Sequence, residues 1–220
     1  MVKDILDVIN TRQSIRRYTE DPVPDELIDK ILEAARWAPS GENEQPWKLL
    51  VVRNPKIRAK VGELSRIGTG KRMHAEYCLG EMEHRFVGIK DQEKKERLEK
   101  FVYTGDVSVI PTKAPVLIFV IGKLKGMFDV PYDLSAAIEN MLLEAHSLGL
   151  GAVWVHGPAV YPRIVKKIKE LLKIPTGMGK WKVVAYVSIG WPTGRRKHPR
   201  PKLPLEEIVY WEEFGNKERK

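Results

Sequence analysis

Hydrophobic positions along the chain alternate between helical and strand spacing. Val2 to Asn10 carries Ile5, Leu6, Val8 and Ile9, the spacing of a short helix. Asp25 can cap a second helix, with Leu27, Ile28, Ile31, Leu32, Ala35 and Trp37 on its inner side. Trp47 to Arg53 is a run of Leu and Val, a strand closed by "NP" at Asn54. Helical spacing returns from Lys56 to Arg66. Gly68 to Gly105 is mostly charged and poor in aliphatics; within it, "IKDQEKKERLEKF" predicts an exposed helix. This region reads as an inserted helical excursion and a candidate lid. "KAPVLIFVIG" is nearly continuously apolar, the mark of a strand buried on both faces. Tyr132 to Leu148 is the strongest helix, with Leu134, Ala137, Ile138, Met141, Leu142 and Ala145 inward and Gly149 placed to stop it. "GAVWVHG" predicts a strand, Arg163 to Leu172 a helix and "WKVVAYVSIG" a further strand. Helices interleaved with about four core strands make an α/β or α+β layered domain. No repeat occurs at solenoid periods.

The end of the chain is unlike a solvated terminus. "WPTGRRKHPRPKLP" is a linker stiffened by Pro192, Pro199, Pro201 and Pro204. Beyond it, Leu205, Ile208, Val209, Tyr210, Trp211 and Phe214 need cover. Such an arm can fold back on its own sheet or reach onto a partner subunit, where it would make a large obligate interface.

Length and charge narrow the class without fixing it. The 220 residues suit one domain, or one with a subdomain, and are enough for a real core. A composition 43% hydrophobic and 30% charged is that of a globular, soluble protein. The net charge of +9 suits phosphate-bearing ligands, nucleic acid or a membrane surface, and equally a solvated Lys- and Glu-rich surface. Cys78 stands alone, so no intrachain disulfide forms and a reducing compartment fits. "MVKDILDVIN" lacks a signal-peptide core, and "APVLIFVIG" is too short to span a bilayer. The expectation is a cytoplasmic protein with no membrane partner.

Candidate chemistry begins with "TRQSIRRY", which spaces Arg12, Ser14 and Arg16 two apart beside Arg17. Arg forks and a hydroxyl suit phosphate oxygens, although arginines at a helix end are also favourable without a ligand. Arg195, Arg196, Lys197, Arg200 and Lys202 form a second basic cluster. The two together could clamp one phosphate or contact nucleic acid. "GTGK" at Gly68 lacks the Walker spacing, and "GLG" at Gly149 precedes a strand; both read as turns. His74, Cys78, Glu81 and His84 fall near one helical face, but one helix rarely supplies a full tetrahedral set, so an exposed helix without metal is the reading. His146, among apolar helix positions, reads as structural. No nucleophile elbow or cysteine-protease signature is present.

The connector "WAPSGENEQPWKLLVV" is unusually furnished. Pro39, Ser40, Gly41, Asn43 and Gln45 lie between Trp37 and Trp47. The two tryptophans are expected to anchor its ends in the core. Gly41 permits close approach of backbone to a flat ligand, and the carboxamides of Asn43 and Gln45 both donate and accept.

Four segments in order — "TRQSIRRY", "APSGENEQPW", "GLGAVWVHG" and "PRPKLPLEEIV" — resemble the nitroreductase family of FMN-dependent oxidoreductases. The resemblance covers nearly the whole chain apart from residues 68–105. It implies an α+β fold, a central mixed sheet flanked by helices. It also implies an intertwined homodimer whose arm, about residues 199–220, crosses to the partner, with FMN at the interface. Arg12, Gln13, Ser14 and Arg16 would hold phosphate and flavin from one subunit, completed by Arg200 and Lys202. Pro39, Ser40, Gly41, Asn43 and Gln45 would meet the same flavin from the other subunit. His156 and Gly157 fall where the family offers a backbone N–H to flavin N5. Bacterial members often carry glutamate at the His156 position, a departure expected to alter the pocket while leaving the backbone contact in place.

The implied chemistry is electron transfer from NAD(P)H through flavin to a nitroaromatic or quinone-like acceptor, by a ping-pong scheme. The cofactor carries the reaction and the protein supplies binding and electrostatics, so no side-chain acid or base is assigned. Cations near the N1–C2 edge, Arg12 and Arg16 as candidates, would stabilise the reduced ring. Relatives with the same fold dehalogenate iodotyrosine or fragment reduced flavin to dimethylbenzimidazole, an alternative the lid would decide. A basic nucleic-acid-binding module is the alternative from another class, with no recognisable motif behind it.

Overall fold

The computed structural model describes residues 4–79, 86–123, 130–176, 181–195, 197 and 201–218. Its sheet has strands β1 (Trp47–Val52), β2 (Val116–Lys123), β3 (Gly151–Val155) and β4 (Trp181–Gly190), in the spatial order β1-β2-β4-β3. All three strand pairs are antiparallel. The parallel component expected of a mixed sheet is a single bridge, Ser14 to Ala152, beside β3. β2 is central and buried on both faces, as its apolar run requires, but within an antiparallel sheet rather than a parallel one.

Helices cover both faces, and the pleat decides which residues meet them. Val116, Ile118 and Val120 of β2 point to a core shared with α2 (Asp25–Arg36) and α5 (Val130–Ser147). Leu117, Phe119 and Ile121 point to the opposite core, with α3 (Pro55–Cys78) and α6 (Pro162–Leu171). The alternation breaks at one bulge. Val120 faces Ala185, but Ile121 faces Val183, so Val184 and Ala185 fall in the same core. α5 buries Leu134, Ala137, Ile138, Met141, Leu142 and Ala145, and Gly149 turns the chain at φ 82°.

Four sequence expectations are corrected. Asp25 is the first residue of α2, not its cap, and its carboxylate pairs with Arg53. Trp37 is 71% exposed, its indole N–H donating to Glu33, so only Trp47 is anchored in the core. α3 does not end near Arg66 but runs unbroken to Cys78, so "GTGK" is helical and not a turn. The excursion therefore starts inside a helix. α4 (Gln92–Tyr103) is the exposed helix expected and has no buried residue. Finally, α1 (Ile5–Thr11) buries only Val8; Ile5, Leu6 and Ile9 face outward.

Candidate functional site

Residues 12–18 are stitched along one edge of the sheet. The Ile15 N–H donates to Ala152 of β3 at 3.0 Å, and Thr19 N–H to Trp191 just past β4 at 2.9 Å. The part-buried phenol of Tyr18 lies 2.5 Å from the Ile15 carbonyl, to which it donates, and 3.3 Å from the Ser188 carbonyl, which shares the same proton more weakly. Burial raises its pKa, which keeps it a neutral donor. A side chain at Gly151 would run into Ile15, 2.6 Å away, so glycine lets this segment press on β3. The outcome is a fixed display of Arg12, Gln13, Ser14 and Arg16 beside the start of β3. The Ser14 hydroxyl is exposed and has no hydrogen-bond partner among the described residues. Arg12 lies 3.4 Å from Glu139 of α5, and Arg16 donates to the Ser14 carbonyl at 3.4 Å.

The other end of β3 carries His156 and Gly157. The His156 Nδ1–H donates to the Val184 carbonyl at 2.8 Å, which the bulge turns toward it. A 3₁₀ turn, Gly157–Ala159, follows. Among the described residues the Gly157 N–H donates to no oxygen. Ala152 and His156 are four residue steps apart along the strand direction, a span of roughly 13 Å.

The second group lies at the opposite edge, before β1. Glu42, Asn43 and Gln45 hold φ of 52°, 55° and 47°, left-handed conformations that cost energy away from glycine. Ser40 Oγ accepts from the Gln45 N–H at 3.0 Å, and the Gln45 carboxamide donates to Asn43 Oδ1 at 3.1 Å. Gly41 N–H donates to Asp133 of α5 at 3.2 Å, and a side chain at Gly41 would meet nothing within 4 Å. Pro39, Gly41, Asn43 and Gln45 are exposed and Ser40 half-buried.

The late basic cluster divides. Arg195 turns inward, donating to the Gly149 and Leu150 carbonyls at 3.0 and 2.8 Å and to His146 Nδ1 at 2.6 Å. Partial burial lowers its pKa below the usual arginine value. His146 in turn meets the Thr11 hydroxyl through Nε2, at 2.8 Å, so its structural role holds. Lys202 is exposed; Arg196 and Arg200 lie outside the described residues. His74 bonds Tyr103 through Nδ1 and sits 3.8 Å from Cys78 Sγ through Nε2, while Glu81 and His84 lie outside the described residues. Among the described residues no three His, Cys, Asp or Glu side chains are placed to hold a metal.

Sequence reasoning missed Glu139, Asp133 and the His156–Val184 bond. The first two are ordinary helix acids in the sequence, and a bulge leaves no mark in an all-apolar strand. The chemistry of the donor set suits an anionic group at the Ser14 end, where a hydroxyl and arginines gather, and a hydrogen-bond acceptor at the Gly157 N–H.

Helices on both faces of an antiparallel sheet, with a cationic segment and a Gly157 N–H that has no acceptor among the described residues at the two ends of one edge strand, make an α+β protein with two sets of donors along one edge. The Nitroreductase family model matches residues 9–191, and the chain belongs to that family. A relative from Methanothermobacter thermautotrophicus, provisionally named an NADH dehydrogenase/NAD(P)H nitroreductase, is 35% identical over 86% of this chain and 78% of its own. A 5,6-dimethylbenzimidazole synthase from Rhodospirillum rubrum is 26% identical over 91% of this chain and 87% of its own. A crystal structure of a nitroreductase with bound FMN from Bacteroides fragilis superposes with a TM-score of 0.64 at 25% identity, covering 93% of this chain and 97% of that one. No helix among the described residues is long and apolar enough to cross a membrane.

Proposed function

We propose that the protein is an FMN-dependent oxidoreductase that takes electrons from NAD(P)H and passes them, in a ping-pong scheme, to a small nitroaromatic or quinone-like acceptor. The observation that carries it is the open Gly157 N–H at one end of β3, with the Ser14 hydroxyl and arginines at the other. Bound FMN would supply hydride acceptance at N5. Gly157 would donate to N5, with His156 holding the preceding peptide through Val184. Arg12, Gln13, Ser14, Arg16, Arg200 and Lys202 would hold the phosphate and the polar ring edge. Arg12 would share its charge between the ligand and Glu139.

The site is proposed to lie between two chains. Pro39 to Gln45 sits at the β1 edge and Gly157 at the β3 edge, three strand spacings or roughly 14 Å apart. One flat ring is more easily gripped by the Gly157 edge of one subunit and the Asn43 loop of its partner. The arm supports this: Phe214 is 92% exposed, Leu205 69% and Leu203 66%, apolar surface that calls for a partner. A cytoplasmic homodimer, with no nucleic-acid or membrane partner, completes the reading.

The test is direct. The purified protein is expected to be yellow, to release FMN on denaturation and to be bleached anaerobically by NADH or NADPH. A colourless protein whose melting point does not move with added FMN would overturn the proposal.

A further inference from the structure

We propose that Thr69 is a positioning residue for the flavin-facing turn, setting the aim of the Gly157 N–H by filling the space beside it. This rests on the flavin reading above. Thr69 sits midway along α3, is only 4% exposed, and its Oγ1 is buried with no hydrogen-bond partner among the described residues. A buried hydroxyl left unpaired is costly, so its presence needs a reason.

The reason lies across the helix. A Cβ built on Gly157 would stand 2.2 Å from Thr69 Oγ1. The corresponding Cα hydrogen of Gly157 therefore points at that oxygen, the arrangement of a weak C–H···O contact. Gly157 is not among the residues with positive φ, so backbone conformation does not demand glycine there. What demands it is the room that Thr69 occupies. One residue earlier, a Cβ on Gly68 would meet the Gly157 carbonyl and Pro158 Cα, each at 3.4 Å. Glycine flanks Thr69 on both sides, a costly choice in a helix interior. At Gly68 those distances are ordinary van der Waals contact, whereas at Gly70 the Thr104 carbonyl, 3.0 Å from a Cβ, leaves little room for a side chain.

The opposite side of the same helical turn holds the root of the excursion. A Cβ on Gly105, at φ 80°, would lie 2.1 Å from the Arg66 carbonyl, and one on Gly70 would lie 3.0 Å from the Thr104 carbonyl. α3 at Arg66 to Gly70 is thus wedged between the turn that carries Gly157 and the corner where the excursion returns. Beyond Gly70, α3 itself leads out into the excursion.

The effect should appear in the balance between oxidised and reduced FMN. An N–H held at N5 favours the oxidised ring, whose N5 still accepts a hydrogen bond. Thr69→Ala, which empties the space, should weaken the hold on oxidised relative to reduced FMN by about tenfold, the scale of one hydrogen bond. The flavin midpoint potential should rise accordingly, with a change in the visible band of the bound flavin. Thr69→Ser, which keeps the oxygen, should restore the wild-type potential and spectrum. Gly157→Ala should lower FMN affinity by about tenfold or more. The double variant Thr69→Ala/Gly157→Ala, in which the new methyl occupies the vacated space, should recover most of that loss.

The measurements are spectroelectrochemical titration and FMN equilibrium dialysis on holoprotein, with circular dichroism to verify folding. A Thr69→Ala holoprotein with wild-type potential and spectrum overturns the positioning role while leaving the flavin reading intact. So does a double variant no better than Gly157→Ala alone, a comparison that stands even if Thr69→Ala does not fold. A wild-type protein that binds no FMN overturns both.

Discussion

Tyr18 shows how a single side chain can hold a whole binding segment. Its phenol closes on Ile15 and Ser188, so the stretch carrying Arg12 to Arg16 cannot lift from β3. Tyr18→Phe should destabilise the fold by about 1–3 kcal/mol, read as a lower Tm, because buried carbonyls lose their donor. FMN affinity should fall with it, since the displayed arginines lose their backing. At this scale the sequence was informative about chemistry and poor about environment. The cationic pattern around Ser14 and the carboxamides of the connector were plain, but equal tryptophans at 37 and 47 met opposite fates. Trp47 opens β1 and packs into the core; Trp37 follows the end of α2 and rests over Glu33 and Arg36. Hydrophobicity alone does not separate a residue inside a strand from one at a helix exit.

Most elements were legible because their periodicity is strong. α5, β2 and β4 lie close to where their apolar patterns put them. The excursion was misjudged at its start, since two glycines in α3 look like punctuation until their neighbours are known. Both pack inside the helix, Gly68 at contact distance from the Gly157 turn and Gly70 pressed on the Thr104–Gly105 corner. α4 hangs on few apolar contacts and buries no residue, so its amides should exchange with deuterium well before those of β2 and β4. Equal protection in α4 and β2 would contradict its placement as a loosely held element. Arg195 offers a second test. It donates to the Gly149 and Leu150 carbonyls just past the end of α5. Arg195→Ala should cost on the order of 1 kcal/mol in chemical denaturation through the lost carbonyl partners.

The whole molecule makes sense only with its apolar exterior covered. Ile5 and Leu6 of α1, with Leu205, Ile208 and Phe214 of the arm, are all more than half exposed. The arm closes on itself locally: Lys217 lies over the Tyr210 ring at 3.9 Å, and Tyr210 packs on Phe214. Deleting residues 201–220 should shift the protein from dimer to monomer in sedimentation velocity and release FMN. The separation of the two candidate groups was not readable from residue order, because strand order is a property of the folded sheet. It places the Asn43 loop and Gly157 at opposite edges of one chain. The most direct measurement combines two damaged subunits, Arg12→Ala and Asn43→Ala, in a purified mixed dimer. The account predicts one FMN site of wild-type affinity per mixed dimer, assembled from the intact Arg12 of one subunit and the intact loop of the other. A mixed dimer with no such site, behaving like the sum of its damaged parents, would contradict it.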